Sequence, residues 1–136
     1  TFMGDLDGLA IRYASASPDQ EKLQAEVTEI LEKECAAAKA ADVQTWNRYS
    51  DEFHLVFYRY CNNSRLAESA ERLRSGISIF SNQYCRETVI QTRIDEEHLA
   101  IFQAYKDGDI EKAVQMMKTH LNDSLNYALR FLPKTF

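Results

Sequence analysis

Residues 94–124, IDEEHLAIFQAYKDGDIEKAVQMMKTHLNDS, decide the fold of this chain because they encode two helices joined by a tight turn. Apolar residues recur at helical spacing on both sides of residues 106–109, and each apolar stripe contains one histidine, His98 or His120. His98 lies ten residues before Gly108, and His120 lies twelve after it. At about 1.5 Å of rise per residue, both rings reach nearly the same level of a helical hairpin. We therefore predict two buried imidazoles that face each other.

The composition predicts one helical domain. The chain has 136 residues, of which 45 % are hydrophobic and 27 % charged, values typical of a soluble globular protein. A domain of this length can bury roughly two-thirds of its unfolded surface in one core. Four glycines and two prolines leave few places for turns, which favours a small number of long helices. We expect residues 1–136 to form a single all-α domain.

Charge and cysteine usage argue against several classes of protein. The net charge is −5 and no clustered Lys/Arg surface is evident, so we do not expect this chain itself to bind nucleic acid. No apolar run approaches the ~18 residues that span a bilayer, and no signal peptide opens the chain. The three cysteines, Cys35, Cys61 and Cys85, form an odd number without C-x-x-C spacing, so we expect reduced thiols in a cytoplasmic protein.

Periodicity and capping signals predict an antiparallel bundle of about six helices. In the first helix, Leu6, Leu9, Ala10 and Tyr13 are expected to share the buried face. The predicted helices span about residues 3–14, 18–40, 43–60, 65–84, 92–106 and 110–131, and the fifth opens at a capping box formed by Thr92 and Asp95.

Two of the predicted turns share a pattern of lysine followed three residues later by aspartate. Lys39 and Lys106 suit the C-terminus of a helix, where a positive charge is favourable. Asp42 and Asp109 are predicted to cap the helices that follow.

The third helix carries the third histidine, His54. Its main apolar stripe consists of aromatic residues, and His54 lies about 110° from the centre of that stripe at 100° per residue. A helix with two non-solvent faces is usually central to its bundle. We therefore expect His54 to face the hairpin that carries His98 and His120. The aromatic stripe comprises Trp46, Tyr49, Phe53, Phe57 and Tyr60.

Three imidazoles from separate helices suit a metal ion. Neutral imidazole is a common ligand of divalent metals, and three such ligands leave open positions for water or a carboxylate. The alternative is that His54, His98 and His120 are core residues that hydrogen-bond to Ser124, Tyr58, Tyr127 or backbone carbonyls without a metal. Both interpretations remain open from the residues alone.

A set of short motifs resembles the FadR-type C-terminal (FCD) domain of GntR-family transcriptional regulators. The resemblance covers essentially the whole chain, because residues 3–14 also look like the opening helix of that family, with Leu6 and Asp7 near its Leu-Glu position. The motifs are Phe53-His54, Cys61-Asn62-Asn63, Leu66, Glu97-His98, Ile101, Ala104, Gly108-Asp109, Ala113, Met117 and His120-Leu121.

The resemblance implies an effector-binding and dimerising helical bundle with a central ligand or metal cavity. Many members hold a divalent metal, such as zinc or nickel, with three histidines and an Asp four residues before the first of them. His54, His98 and His120 match the histidines, whereas Ser50 occupies the Asp position. Serine is a poor ligand for such an ion, and among nearby carboxylates we favour Asp51 as the substitute.

The resemblance also implies partners outside this chain. A small organic-acid effector and a second copy of the domain are expected, whereas a membrane is not. The DNA-binding winged helix-turn-helix is expected to be of separate sequence, so DNA would be a partner only through it.

Polar residues that share faces with the histidines are candidates for effector binding. Asn47, Ser50 and Tyr58 lie on the His54 helix, and Ser124 lies one turn beyond His120. Arg86 and Arg93 lie near the start of the fifth helix, and arginine suits an anionic effector. These six residues complete the predicted effector site.

Other functions remain open beside that of a metal-dependent sensor. One is a metal-free pocket for an acyl or other anionic ligand, because Ser50 replaces the metal-binding carboxylate. Another is a metal-dependent hydrolase or lyase, in which a metal-bound water supplies the nucleophile. The enzyme alternative lacks an evident general base, because Glu97 points about 100° away from its neighbour His98 on the helix. We therefore expect a sensor and not an enzyme.

Overall fold

The computed structural model describes residues 1–84 and 86–130, without the side chains of residues 76–84 and 128. Six α-helices and no strand occur in this part of the chain, which confirms the all-α prediction. None of these helices combines the length and the apolar character needed to cross a membrane. The helices are α1 (Phe2–Ser15), α2 (Gln20–Lys39), α3 (Val43–Arg59), α4 (Ser64–Tyr84), α5 (Thr88–Lys106) and α6 (Ile110–Leu129).

Helix α3 lies at the centre of the bundle, as its two non-solvent faces predict. It packs against α1, α2, α4 and α5, while α6 packs against α1 and α5. Burial of apolar surface between these helices is the main stabilising term, at roughly 25 cal/mol per Å². The largest fully buried apolar side chains are Trp46, Phe53, Phe57, Ile11, Leu23, Ile101 and Met117.

The two predicted aspartate caps are present. Asp42 Oδ1 accepts a hydrogen bond from the Thr45 amide at 3.2 Å, and Asp109 Oδ1 accepts one from the Lys112 amide at 3.3 Å. Gly108 has a φ of +81°, a left-handed conformation that glycine adopts without strain. These features hold α5 and α6 as the hairpin that the sequence predicts.

Two predicted helix starts were wrong. Helix α5 begins at Thr88, so Asp95 lies inside the helix and does not cap it. Its Oδ1 accepts a hydrogen bond from Trp46 Nε1 at 2.9 Å. Helix α2 begins at Gln20, two residues later than predicted, after Ser17 Oγ accepts a hydrogen bond from the Asp19 amide at 3.2 Å. The predicted end of the sixth helix, near Phe131, lies outside the described residues.

The buried face of α1 differs from the predicted one. Leu6 and Ala10 are buried as expected, but Leu9 and Tyr13 are exposed. The helix is turned so that its interior face also contains Asp7, Ile11 and Ala14. A carboxylate thereby enters the core.

Cys35 and Cys61 are free thiols in the structure. Cys85 lies outside the described residues.

Candidate metal centre

The three histidines meet inside the bundle, as predicted. The exposed fractions of His54, His98 and His120 are 2 %, 0 % and 4 %. One ligand atom from each ring lies within 4.8 Å of the other two. Nε2 of His98 and Nε2 of His120 are 3.0 Å apart, so the two imidazoles of the hairpin face each other.

Packing around the rings fixes their positions. The Phe53 ring stacks on His98 with 4.2 Å between centroids, which places the aromatic neighbour of His54 against the hairpin. On the other side, α1 approaches α6 closely at Gly8, where an added Cβ would lie 3.0 Å from Val114 Cγ1. Because glycine has no side chain, α1 can pack this closely against α6, and the neighbouring Asp7 contacts His54.

A carboxylate contacts Nδ1 of each histidine. Asp7 Oδ2 lies 2.7 Å from Nδ1 of His54, and Glu97 Oε2 lies 3.4 Å from Nδ1 of His120. Both oxygens of Glu34 contact Nδ1 of His98, at 2.9 and 3.1 Å. These carboxylates come from α1, α5 and α2 respectively. Hydrogen bonding at Nδ1 leaves Nε2 as the free nitrogen of each ring, a common arrangement behind metal-binding histidines.

Burial keeps the three imidazoles neutral. It is the largest cause of a lowered pKa at each ring, and it lowers the pKa of His98 to about 3. Burial also raises the pKa of Asp7. Because the pKa of His54 is well below its ordinary value, the contact between Asp7 and His54 is a hydrogen bond from a neutral imidazole to the carboxylate and not an ion pair.

The neutral rings leave one unfavourable contact between acceptors. The single proton of His98 is required at Nδ1 by Glu34, so its Nε2 carries a lone pair. If the proton of His120 is also at Nδ1, two lone pairs face each other across 3.0 Å. If it is at Nε2, the bare Nδ1 faces the Glu97 carboxylate. Burial, the largest single cause, raises the pKa of Glu97, but the contacts with His120, Arg93 and His98 together lower it below its ordinary value. A cation at the Nε2 atoms removes this conflict.

A second carboxyl group lies behind Glu34. Asp95 hydrogen-bonds to Glu34 and to Trp46, and burial is the largest cause that raises the pKa of both acids, Glu34 to about 7 and Asp95 to about 8. Near pH 7 this pair therefore shares a proton, and at least one oxygen of Glu34 remains available to accept from His98.

Asp7 belongs to a larger polar network on the α4 side of the site. It accepts a short hydrogen bond from the Tyr58 hydroxyl, and its Oδ2 lies 3.6 Å from Nη1 of Arg74. Nη2 of Arg74 lies 3.4 Å from Asp51 Oδ1. The buried guanidinium of Arg74 and the ring of His54 therefore contact the same carboxylate, that of Asp7.

The predicted substitute ligand, Asp51, lies beside Arg74 and is absent from the donor cluster formed by the three histidines in the described part of the chain. Ser50 is half-buried on the same helix. Whether Ser50 or Asp51 approaches a bound ion stays a prediction.

The other predicted effector residues are divided among four places. Asn47 is buried, and it lines an open cleft of about 610 Å³ with Asp51 and Arg86. Tyr58 is buried against Asp7, whereas Ser124 is half-buried on α6. Arg93 is exposed, with its Nε 3.8 Å from Glu97 Oε1, at a groove of about 440 Å³ that reaches His120 between α5 and α6.

Three residues of the site were missed by the sequence analysis. Asp7, Glu34 and Arg74 are buried charged residues that contact a histidine or a partner of one. Glu34 follows Ile30 and Leu31 at helical spacing, and Arg74 follows Ala70 in the same way. A charged residue within an apolar stripe was the available signal.

One comparison with known proteins identifies the family of the chain. No curated protein and no solved structure gave a significant match to the chain. The family model described as the FCD domain matches residues 2–123, which include α1 to α5, most of α6 and all three histidines. The chain therefore belongs to the FCD domain family, the FadR-type C-terminal effector-binding domains of GntR-family regulators.

Proposed function

We propose that this domain senses a small organic acid at a divalent metal ion held by Nε2 of His54, His98 and His120. The observation that carries the proposal is the convergence of three neutral, buried imidazoles whose Nδ1 atoms are all engaged by carboxylates. FCD domains belong to transcription regulators, which are generally not enzymes. The carboxylates that contact the histidines do so at Nδ1, which suits positioning of the rings better than acid–base catalysis at a metal-bound water.

The nitrogen positions suit a metal ion. Two nitrogens, each about 2.1 Å from one ion and at a right angle, lie about 3.0 Å apart. The separation between Nε2 of His98 and Nε2 of His120 is 3.0 Å. Three histidine ligands leave positions for oxygen atoms, and a divalent ion bound there would supply a Lewis acid for a carboxylate.

The surrounding carboxylates compensate in part for the serine at position 50. A carboxylate ligand would have contributed a negative charge directly to the ion. Here Asp7, Glu34 and Glu97 lie behind the three rings, where hydrogen bonds at Nδ1 increase the basicity of Nε2. We therefore expect metal binding without a carboxylate from Ser50.

Sensing requires that the acid bind one conformation of the bundle more tightly than another. The histidines belong to α3, α5 and α6, so a ligand held among them links three helices of the bundle. We propose that an attached DNA-binding domain responds to this change. Membership of the FCD family also leads us to propose a homodimer, which sedimentation velocity tests directly.

Thermal unfolding tests the proposed function. The domain is first treated with a chelator and then supplied with zinc or nickel, with and without a panel of organic acids, sugar acids and amino acids. A ligand that binds only the folded state raises Tm, so both the ion and a subset of acids should do so. If neither the ion nor any acid changes Tm, the proposal is wrong.

A metal-free anion site is the second candidate. It is favoured by Ser50 and by the buried guanidinium of Arg74, which can attract a carboxylate without a metal. In that case an acid should raise Tm equally in the presence and absence of chelator.

A further inference from the structure

Arg74 is a buried cation whose hydrogen-bonding capacity is only partly used. Its exposed fraction is 7 %, and its Nε and Nη1 have no hydrogen-bond acceptor among the described residues. A buried polar group without a partner destabilises the folded state, and more so when it is charged. Such a group is retained more readily when a ligand supplies the acceptor.

We propose that Arg74 anchors one carboxylate of a dicarboxylate ligand, whose other carboxylate reaches the three-histidine site. This inference rests on the proposed function, since it assigns the chemical class of the effector and the residue that selects it.

The contacts of Arg74 with its acidic neighbours are too long to satisfy it. Charge-assisted hydrogen bonds between nitrogen and oxygen are usually 2.7–2.9 Å long. Arg74 Nη2 lies 3.4 Å from Asp51 and Nη1 lies 3.6 Å from Asp7, and neither contact involves Nε. Asp7 and Asp51 therefore balance the positive charge of Arg74 inside the protein. The N–H groups of the guanidinium remain available to donate hydrogen bonds to an anionic oxygen of a ligand.

Arg74 lies close to the histidines. The same Asp7 oxygen, Oδ2, is 2.7 Å from His54 and 3.6 Å from Arg74. The guanidinium and His54 thus contact the same carboxylate oxygen, and the proposed dicarboxylate would extend from Arg74 to the Nε2 side of the histidines.

The α3 surface provides an approach to Arg74. Asn47 is buried, and both polar atoms of its amide lack a hydrogen-bond partner among the described residues. Asn47 and Asp51 both line the open cleft of about 610 Å³, and Asp51 is also the neighbour of Arg74. The cleft thus leads from solvent toward two side chains with unused hydrogen-bonding groups, which suits a polar ligand better than an acyl chain.

The two separate anchoring points, Arg74 and the three-histidine site, favour a ligand that carries two carboxylates. A monocarboxylate can occupy either the guanidinium or the Nε2 side of the histidines, but a short dicarboxylate can occupy both. Hydrogen bonds to a charged group contribute about 1.5–3 kcal/mol, which corresponds to roughly tenfold to a hundredfold in affinity. Arg74 should therefore discriminate by at least about tenfold between acids of equal length that carry one or two carboxylates.

The test compares succinate with butyrate, which have the same chain length. Isothermal titration calorimetry measures both acids on the zinc-loaded domain, for the wild type, Arg74→Gln, Arg74→Lys and the control Arg72→Gln. Arg72 is exposed on the same helix, so the control makes the same change outside the site. Zinc affinity is measured for each protein in parallel, and circular dichroism confirms that each is folded.

We expect succinate to bind the wild type and Arg72→Gln at least about tenfold more tightly than butyrate does. Arg74→Gln should lose most of this preference, so that its affinities for succinate and butyrate differ by less than about threefold. Arg74→Lys, which retains the charge but not the planar group, should be intermediate. It also serves as the second variant if Arg74→Gln does not fold.

Unchanged succinate binding by both Arg74 variants would overturn the inference, as would a wild type with no preference for succinate. If the wild type binds no zinc, that result contradicts the metal-dependent function but not the role of Arg74. The role of Arg74 is then decided on chelator-treated protein, in which Arg74→Gln should still weaken succinate binding and an unchanged affinity would refute it.

Discussion

The exchange of Asp7 for asparagine tests whether the carboxylates behind the histidines support metal binding. Asp7 is 2 % exposed, and its Oδ2 lies 2.7 Å from His54 Nδ1. Asparagine preserves the size of the side chain but removes the negative charge, and water has little access to replace it. His54 then loses the charged acceptor that makes its Nε2 a stronger ligand.

The magnitude follows from the role of such contacts. Loss of a hydrogen-bonded partner behind a metal-binding histidine typically lowers metal affinity by about 10- to 100-fold, or about 1.4–2.7 kcal/mol. The short, fully buried contact at Asp7 should produce an effect in this range. The contact between Glu97 and His120 is longer, at 3.4 Å, and Glu97 is partly exposed, so Glu97→Gln should have a smaller effect.

Isothermal titration calorimetry of chelator-treated protein with zinc, in the presence of a competing chelator, provides the affinities. Asp5→Asn is the matched control, because Asp5 is an exposed aspartate of the same helix. We expect wild-type affinity for Asp5→Asn and the stated loss for Asp7→Asn. Equal zinc affinity of folded Asp7→Asn and wild type would refute the role assigned to Asp7.

Three further predictions concern the same site. His98→Ala should abolish the increase in Tm caused by zinc, whereas Leu99→Ala, at an exposed position, should retain it; a full increase in His98→Ala would show that zinc stabilises the protein elsewhere. Ser50→Asp should tighten zinc binding measured by calorimetry if position 50 faces the ion, and an unchanged affinity would place this residue outside the site. Burial raises the pKa of Glu34 from 4.5 to about 7, so its contribution to stability is fully present below pH 4.5 and is lost as pH rises through 7. Between pH 4.5 and 8, the unfolding free energy of chelator-treated wild type should therefore fall by up to about 3 kcal/mol relative to that of Glu34→Gln. Urea unfolding measures this change, with Glu32→Gln as the control. Parallel pH profiles of wild type and Glu34→Gln would contradict the raised pKa.

The sequence was sufficient to predict the bundle and the three imidazoles, because these depend on local periodicity. Helical spacing placed His98 and His120 on buried stripes, and nearly equal distances from Gly108 placed them at one level of the hairpin. The structure confirms this placement, with 3.0 Å between Nε2 of His98 and Nε2 of His120.

The polar partners of the histidines could not be predicted in the same way. Asp7 is 47 residues from His54, and Glu34 is 64 residues from His98, so no local pattern connects them. The rotation of α1 was also misjudged, because Leu9 and Tyr13 were assigned to the interior that Asp7 partly occupies. Asp95 was mistaken for a capping residue because its buried partner, Trp46, is 49 residues away.

Metal content measured by mass spectrometry tests the central proposal most directly. The purified wild type, incubated with zinc or nickel and then freed of unbound ions, should retain about one ion per chain. The variant with His54, His98 and His120 all replaced by alanine should retain almost none. A folded wild type that retains no more metal than this variant would contradict the assignment of the three histidines as a metal centre.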